Sequence, residues 1–505
     1  MRLSHNVIAG MGNSALTALL GLAATPFYLH FLGVEAYGLV GFFVAMQALL
    51  SLLDLGLSPT MNREVARAVA KGEMQGVRSL LHSLGMLAFL VAVLLAGLVV
   101  AGAAPIASYW LSAQEMPTGQ LSTAISLMGV AIACRWPAGL YQATVNGAER
   151  LIVSSTIASA YAAVATIGSV CVLTWVSPTI GAFFVWHAFA ALMYTLFLRA
   201  AAWRTLGGRA GAIAGLTPIR RVWRFSAGMG VIAVTSVLFT HMDKLLLSAM
   251  LTLESFGRYT LATMLASGIY VFVVPVFNAV YPRFSALVAA GDGARLLYLY
   301  SIGTRIVATL VFPLASVLLV FSEPLLALWT QDAAVARSTA PVLALLVAGT
   351  ALHSVMYFPY ALQLAHGRPR ITVTINLTML ALLVPTTVLL TMTFGEIGAA
   401  GAWLLLHAFH LAFGTRMTHR HLLRGYGLRW LTRDVGVPLL IVCTMTAVAV
   451  AGGAADQNGL LPKVFWATAM LVFPALLSLG LSRDARSIAH GILVGHAVRP
   501  GESTS

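Results

Sequence analysis

Residues 32–43 read LGVEAYGLVGFF, and 219 positions later residues 251–262 read LTLESFGRYTLA. Leu32 falls on Leu251, Glu35 on Glu254, Tyr37 on Phe256 and Gly38 on Gly257. The same offset, with no gap, lays VAKGE from Val69 on VAAGD from Val288. A register held over this distance is an internal repeat, and both copies lie among long apolar runs. Two halves in the same orientation, related by an axis along the membrane normal, are an architecture known among transporters.

The bulk composition agrees. A chain of 505 residues that is 59% hydrophobic and only 9% charged, with mean hydropathy +0.89, cannot hide its apolar residues in a soluble core, so most of its solvent is lipid. Each run of about 20 apolar residues spans the bilayer as a helix, because lipid offers no partner to a bare backbone. About fourteen such runs can be counted. They include Val7 to Phe31, Gly38 to Met61, Phe225 to Met250, Tyr259 to Tyr281, Ile371 to Phe394 and Ala399 to Thr415, with a last pair at Val435 to Gly453 and Val464 to Leu481. The expected fold is an all-α polytopic membrane protein. Residues 1–198 form one six-helix bundle, 199–224 a basic linker, 225–418 a second six-helix bundle, and 419–505 two extra transmembrane helices with a tail.

Charge placement gives the direction. Of the 30 lysines and arginines, 24 fall on one side of this alternation, which predicts that both termini and the linker are cytoplasmic. The net charge of +14 therefore concerns the membrane, and no nucleic-acid partner is expected. Cys134, Cys171 and Cys443 lie singly in apolar runs, with neither disulfide nor zinc-finger spacing. There is no GxxxxGK[ST], so the chain carries no ATP-binding P-loop, and GMGNSA at Gly10 opens a membrane span rather than following a strand. No HExxH or Gly-x-Ser-x-Gly occurs and no soluble domain is large enough for a nucleotide-sugar site. An enzyme is not expected, nor is a cofactor.

LGVEAYG after a span containing Pro26, LLDLGL followed by NREVARAVAKGE, and DKLLLSAMLTLESFGRYTLA together resemble the Wzx-like polysaccharide flippases of the multidrug/oligosaccharidyl-lipid/polysaccharide (MOP) superfamily. The resemblance covers essentially the whole chain in layout. It implies two bundles around a central cavity and alternating access, moving an undecaprenyl-diphosphate-linked oligosaccharide to the periplasmic leaflet of the bacterial inner membrane. Partners would be that lipid-linked substrate, membrane lipids and other polysaccharide assembly proteins, with proton or sodium coupling left open. A peptidoglycan-precursor flippase and a small-molecule exporter share the layout. A membrane-embedded polymerase or glycosyltransferase would need larger outer loops than Ser108 to Gly119 or Ser322 to Arg337.

Charges inside spans are costly and face protein or water. Arg135, in ACRWPAGLY, lies too deep for snorkelling alone, and its planar fork suits a diphosphate. An internal ion pair with Asp54 is the competing reading, and a partner displaced by substrate would satisfy both. Arg305 and Lys244 are further substrate-binding candidates, each shallow enough to snorkel. Asp54, in LLDLGLSP, is expected to act as a gate latch or coupling site. Asp243 is favoured through the family resemblance and should project about 100° away from Lys244. Arg63 and Arg67 form a basic rim at the cytoplasmic entrance. His187, His241, His353, His407 and His410 also fall within spans. His407 and His410 share a helix face at i, i+3, but without a carboxylate partner in sequence this is a weak proton-relay or metal signal.

Overall fold

The computed structural model describes residues 2–208, 215, 234–235 and 237–481. Much of the predicted linker, the first half of the seventh span and the predicted tail lie outside the described residues.

Among the described residues every regular element is helical, with one isolated bridge between Ser112 and Thr252. In chain order they are α1 (Arg2–Leu50), α2 (Leu57–Lys71), α3 (Met74–Pro105), α4 (Thr118–Arg135), α5 (Ala138–Gly147), α6 (Leu151–Trp175), α7 (Ile180–Thr205) and α8 (237–250). There follow α9 (Leu253–Ser267), α10 (Tyr270–Ala289), α11 (Gly293–Val320), α12 (Ser322–Thr330), α13 (Ala333–Val355) and α14 (Tyr357–Ala365). The last four are α15 (Pro369–Leu422), the single turn α16 (Gly427–Arg429), α17 (Val437–Ala451) and α18 (Leu460–Leu481).

Among the described residues, eleven helical stretches are long and apolar enough to cross a membrane. The difference from the fourteen expected runs falls at three places. Leu16–Asp54 and Arg370–Leu422 each join two expected spans, broken at Gly33 (φ 78°) and Gly395 (φ 58°). These φ values are cheap only for glycine, so the chain turns there with almost no loop. The third place is the seventh span, described only in part.

The repeat has a structural counterpart at both quoted stretches. Gly72 and Gly291 take φ of 75° and 71°, ending α2 and α10, and the acid that follows each, Glu73 or Asp292, stands at the start of the next helix. Asp292 caps α11 by accepting the Arg295 N–H at 3.0 Å, as an N-cap carboxylate does.

Two compact units are distinguishable, and neither follows chain order. The first comprises Met1–Leu261 with Leu380–Ala399, the second Ala262–Met379 with Ala400–Ser505. In the first unit α2 is amphipathic. Its Met61, Val65 and Ala68 pack with Leu81 and Leu84 of α3, Tyr141 and Val145 of α5, and Leu198 and Ala202 of α7, while Arg63 and Arg67 stay exposed. In the second unit α11 is buried along most of its length. The two extra helices α17 and α18 pack on it and on each other, around Phe321, Ala449 and Met470. Outward-facing residues such as Phe89, Leu98 and Leu389 remain exposed, as expected of helices solvated by lipid.

Candidate functional site

The two copies of the repeated motif meet one another inside the first unit. A Cβ on Gly38 would run into the carbonyl oxygen of Leu253, and one on Gly257 into that of Val34; each would lie 3.2 Å from the other glycine's nitrogen. Three residues on, Gly41 leaves room for the side chain of its repeat-mate Thr260. Only glycine permits this approach of two helical backbones. The contact is extended by the Leu253 N–H donating to the Ser112 carbonyl at 2.8 Å. Trp110 Nε1 also donates to Ser248 Oγ at 3.1 Å.

Around this crossing the glutamates are fully engaged. Buried Glu35 accepts the backbone N–H groups of Gln114 and Glu115, both at 2.8 Å, and of Met116 at 3.4 Å. Its repeat-mate Glu254 instead pairs with Arg258 at 2.5 Å. The Arg258 guanidinium also holds Glu396 with two hydrogen bonds, of 2.8 and 3.1 Å.

Arg135 is the last residue of α4. Trp136 and Pro137 form the break before α5, as Pro137 and Gly139 in the sequence suggest. Trp136 Nε1 fixes the break by donating to the Leu50 carbonyl of α1 at 3.0 Å. The guanidinium donates to Gln47 Oε1 of α1 and lies over the face of Tyr161 of α6, 5.4 Å from the ring centroid, within cation–π range. Tyr161 in turn stacks on Tyr194 of α7 at 4.4 Å. Two helices thus hold Arg135 through neutral groups, and a third backs the aromatic ring. Among the described residues no carboxylate lies within ion-pair distance of it.

The expected Arg135–Asp54 pair is not formed. Asp54 accepts the Ser58 N–H at 3.0 Å and the Ser58 hydroxyl at 2.8 Å. It sits just ahead of α2, where Leu55 and Gly56 take positive φ and the first-turn N–H groups have no intrahelical partners. The carboxylate is therefore committed to the helix that carries Arg63 and Arg67. Of those two, Arg67 pairs with Glu64 at 3.3 Å.

Arg305 has found a carboxylate that the sequence reading overlooked. Its Nε donates to Asp434 Oδ1 at 2.7 Å, and Tyr426 donates to Oδ2 at 2.8 Å. Asp434 is fully buried in a π-helical stretch, Trp430–Gly436, that leads into α17. Beside Arg433 and one residue before an apparent span, it reads in sequence as part of a basic loop. Trp430 Nε1 donates to Thr304 Oγ1 at 3.0 Å, which fixes that stretch on α11.

Lys244 and Asp243 also differ from expectation. The flexible lysine stem bends back so that Nζ lies 3.2 Å from Asp243 Oδ2, overcoming the angular separation of their Cβ atoms. Buried Asp243 also accepts the Tyr259 hydroxyl at 3.2 Å. Of the expected intramembrane cations, Arg305 and Lys244 are thus charge-compensated and Arg135 is not.

The model of the polysaccharide biosynthesis protein family matches residues 3–288. The chain belongs to this family. Among curated protein sequences nothing matches it. Among solved structures, this polysaccharide biosynthesis protein is similar to the lipid II flippase MurJ in an inward closed conformation (TM-score 0.70, 13% identity, 97% of this chain and 99% of that one). It is also similar to an inward-facing multidrug resistance MATE family transporter of the MOP superfamily (TM-score 0.65, 12% identity, 80% and 95%). A MOP superfamily transporter from Pyrococcus furiosus, described by the reverse polarity of its binding pocket, matches at TM-score 0.57 and 12% identity over 83% and 96%. The family member thus has the MOP fold expected from its sequence.

Proposed function

We propose that the protein is a flippase that moves an undecaprenyl-diphosphate-linked oligosaccharide from the cytoplasmic to the periplasmic leaflet, for cell-surface polysaccharide assembly. The observation that carries the reading is Arg135. It is a guanidinium within a membrane-spanning helix, held by an amide and an aromatic face and without a carboxylate among the described residues. Such a group keeps its positive charge for a ligand. Its planar fork can take two oxygens of a diphosphate at once, and Gln47 is a neutral partner that an anion displaces at little cost. Arg305 and Lys244, compensated by Asp434 and Asp243, act as secondary contacts. Asp243 remains the candidate for proton or sodium coupling.

The family supports a polysaccharide cargo, and the similarity to a lipid II flippase over nearly the full length of both chains supports a lipid-linked one. An exporter of small cations would want a free carboxylate where Arg135 stands. Alternating access, an inner-membrane location and cytoplasmic termini complete the proposal. Arg63 and Arg67, exposed on α2, would then concentrate an anionic headgroup at the entrance.

Losing a charged hydrogen-bond partner costs about 1.5–3 kcal/mol. With about tenfold per 1.4 kcal/mol, Arg135→Ala should lower transport of a lipid-linked oligosaccharide in proteoliposomes by about one to two orders of magnitude. Arg135→Lys should recover only part, since an ammonium loses the fork. Normal transport by a normally abundant Arg135→Ala protein would refute the assignment. Orientation is tested separately, with single cysteines in a background lacking Cys134, Cys171 and Cys443. In intact cells a membrane-impermeant thiol reagent should label a cysteine at Glu115 and spare one at Glu73; the reverse pattern would invert the topology.

A further inference from the structure

The second unit contains a cluster that lipid transport does not call for. His353 near the end of α13 and His407 and His410 on the second part of α15 each offer one ring nitrogen, and the three nitrogens lie within 4.8 Å of one another. The spacing of His407 and His410 puts them on one helix face. The third imidazole comes from a helix more than fifty residues earlier and is brought in by the fold. His407 is fully buried and His410 nearly so, whereas His353 is partly accessible, which leaves one side open to a small ion.

From these positions we infer that His353, His407 and His410 form a three-histidine site for a divalent first-row transition-metal ion of the zinc class. Imidazole nitrogens suit zinc, copper and nickel ions. A zinc ion holds them at about 2.0–2.1 Å, so the cluster must contract by roughly an ångström and a half at most, within reach of side-chain rotation. The surroundings resemble those of a metal site in two respects. The Tyr270 hydroxyl lies 2.7 Å from His353 Nδ1 and fixes that ring. Outer-sphere hydrogen bonds of this kind orient histidine ligands. The Trp403 ring stacks edge-on against His407 at 4.3 Å and gives the pocket an apolar wall that excludes water. Three protein ligands leave a fourth position open. Occupancy would tie α13 to the second part of α15, adding to their side-chain packing and to the hydrogen bond that Trp403 Nε1 donates to Thr350 Oγ1 at 3.4 Å.

The test uses the full-length protein in detergent, purified without a histidine tag, stripped with a chelator and then loaded with Zn2+. After desalting, elemental analysis should find one zinc per chain, and Zn2+ should raise the thermal unfolding midpoint. His353→Gln, His407→Gln and His410→Gln should each weaken Zn2+ binding at least ~100-fold. Tyr270→Phe, which removes only a hydroxyl, should weaken it about tenfold to a hundredfold. In a parallel sample loaded with Cu2+, electron paramagnetic resonance should report three coordinating nitrogens, falling to two in each histidine variant. The triple-Gln variant sets the background. Zinc content in the native chain no higher than in that variant, or a Cu2+ spectrum that the substitutions leave unchanged, would overturn the site. Loss of metal binding in a variant whose metal-free unfolding midpoint matches the native chain supports it. If a single variant unfolds, Tyr270→Phe decides: unchanged Zn2+ affinity there counts against the inference.

Discussion

Glu35 and Glu254 occupy the same place in the two copies of one motif and have come to do different work. What separates them is the residue four positions later, the next neighbour on a helix face. In the second copy it is Arg258, and Glu254 takes it as partner at 2.5 Å while remaining half exposed. In the first copy it is Leu39, fully buried. Glu35 therefore has no cation beside it and turns to three backbone N–H groups of residues 114–116. The glycines beside the glutamates did not diverge, because Gly38 and Gly257 touch each other. Where the two backbones touch, the repeat keeps a glycine on both sides, and three residues on it sets Gly41 against the larger Thr260.

The strongest way to break this comparison is at the crossing itself. Gly38→Ala and Gly257→Ala each push a methyl group into a backbone carbonyl that cannot rotate away. Overpacking of this kind costs about 1–3 kcal/mol or more. Both variants should show a clear fall in unfolding midpoint and membrane abundance, of similar size. A well-tolerated alanine at either position would mean that the copies do not touch in the native protein.

The glutamates should separate next. Glu35→Gln leaves one carbonyl oxygen for three donors and loses the charge, at about 1.5–3 kcal/mol by the worth of charged hydrogen bonds. Glu254→Gln removes only one half-exposed pair, for which about 0–1 kcal/mol is typical. Denaturation of the two variants side by side should rank Glu35→Gln as the more damaging. Equal effects would remove the distinction drawn between them.

Below the loss at Glu35 come the two cap glycines. Neither Gly72 nor Gly291 has an atom within 4 Å of a would-be Cβ, so alanine there meets only the left-handed backbone, at about 1–2 kcal/mol. Gly72→Ala and Gly291→Ala should shift the unfolding midpoint by nearly equal amounts. A marked inequality would show that the second stretch of the repeat has diverged as well.

Much of the fold was legible in the sequence because apolar length and residue spacing are local properties. The expected breaks between Phe31 and Gly38 and between Phe394 and Ala399 contain the glycines at which α1 and α15 turn. Arg135 was marked by its depth and by the proline two residues on. Partners were not legible. Gln47 is an unremarkable amide in an apolar run, Asp434 lies among basic residues, and His353 precedes its two companions by more than fifty positions. Each owes its role to a contact between distant helices, which one sequence does not encode as a pattern. The Asp54–Arg135 ion pair, the reading that competed with a ligand site, is not formed: Asp54 is held by Ser58, four residues away, a local contact that a search for opposite charges does not reveal.

The contact between Gly38 and Gly257 also bears on inheritance. Where a position packs against its own copy, a change in one copy is met by the unaltered other, so a larger side chain at either site is admissible only with an accommodating backbone shift at its mate. The two positions are therefore linked in descent. Among related chains their sizes should vary together or not at all, whereas positions 39 and 258, which do not share this contact, are free to drift apart.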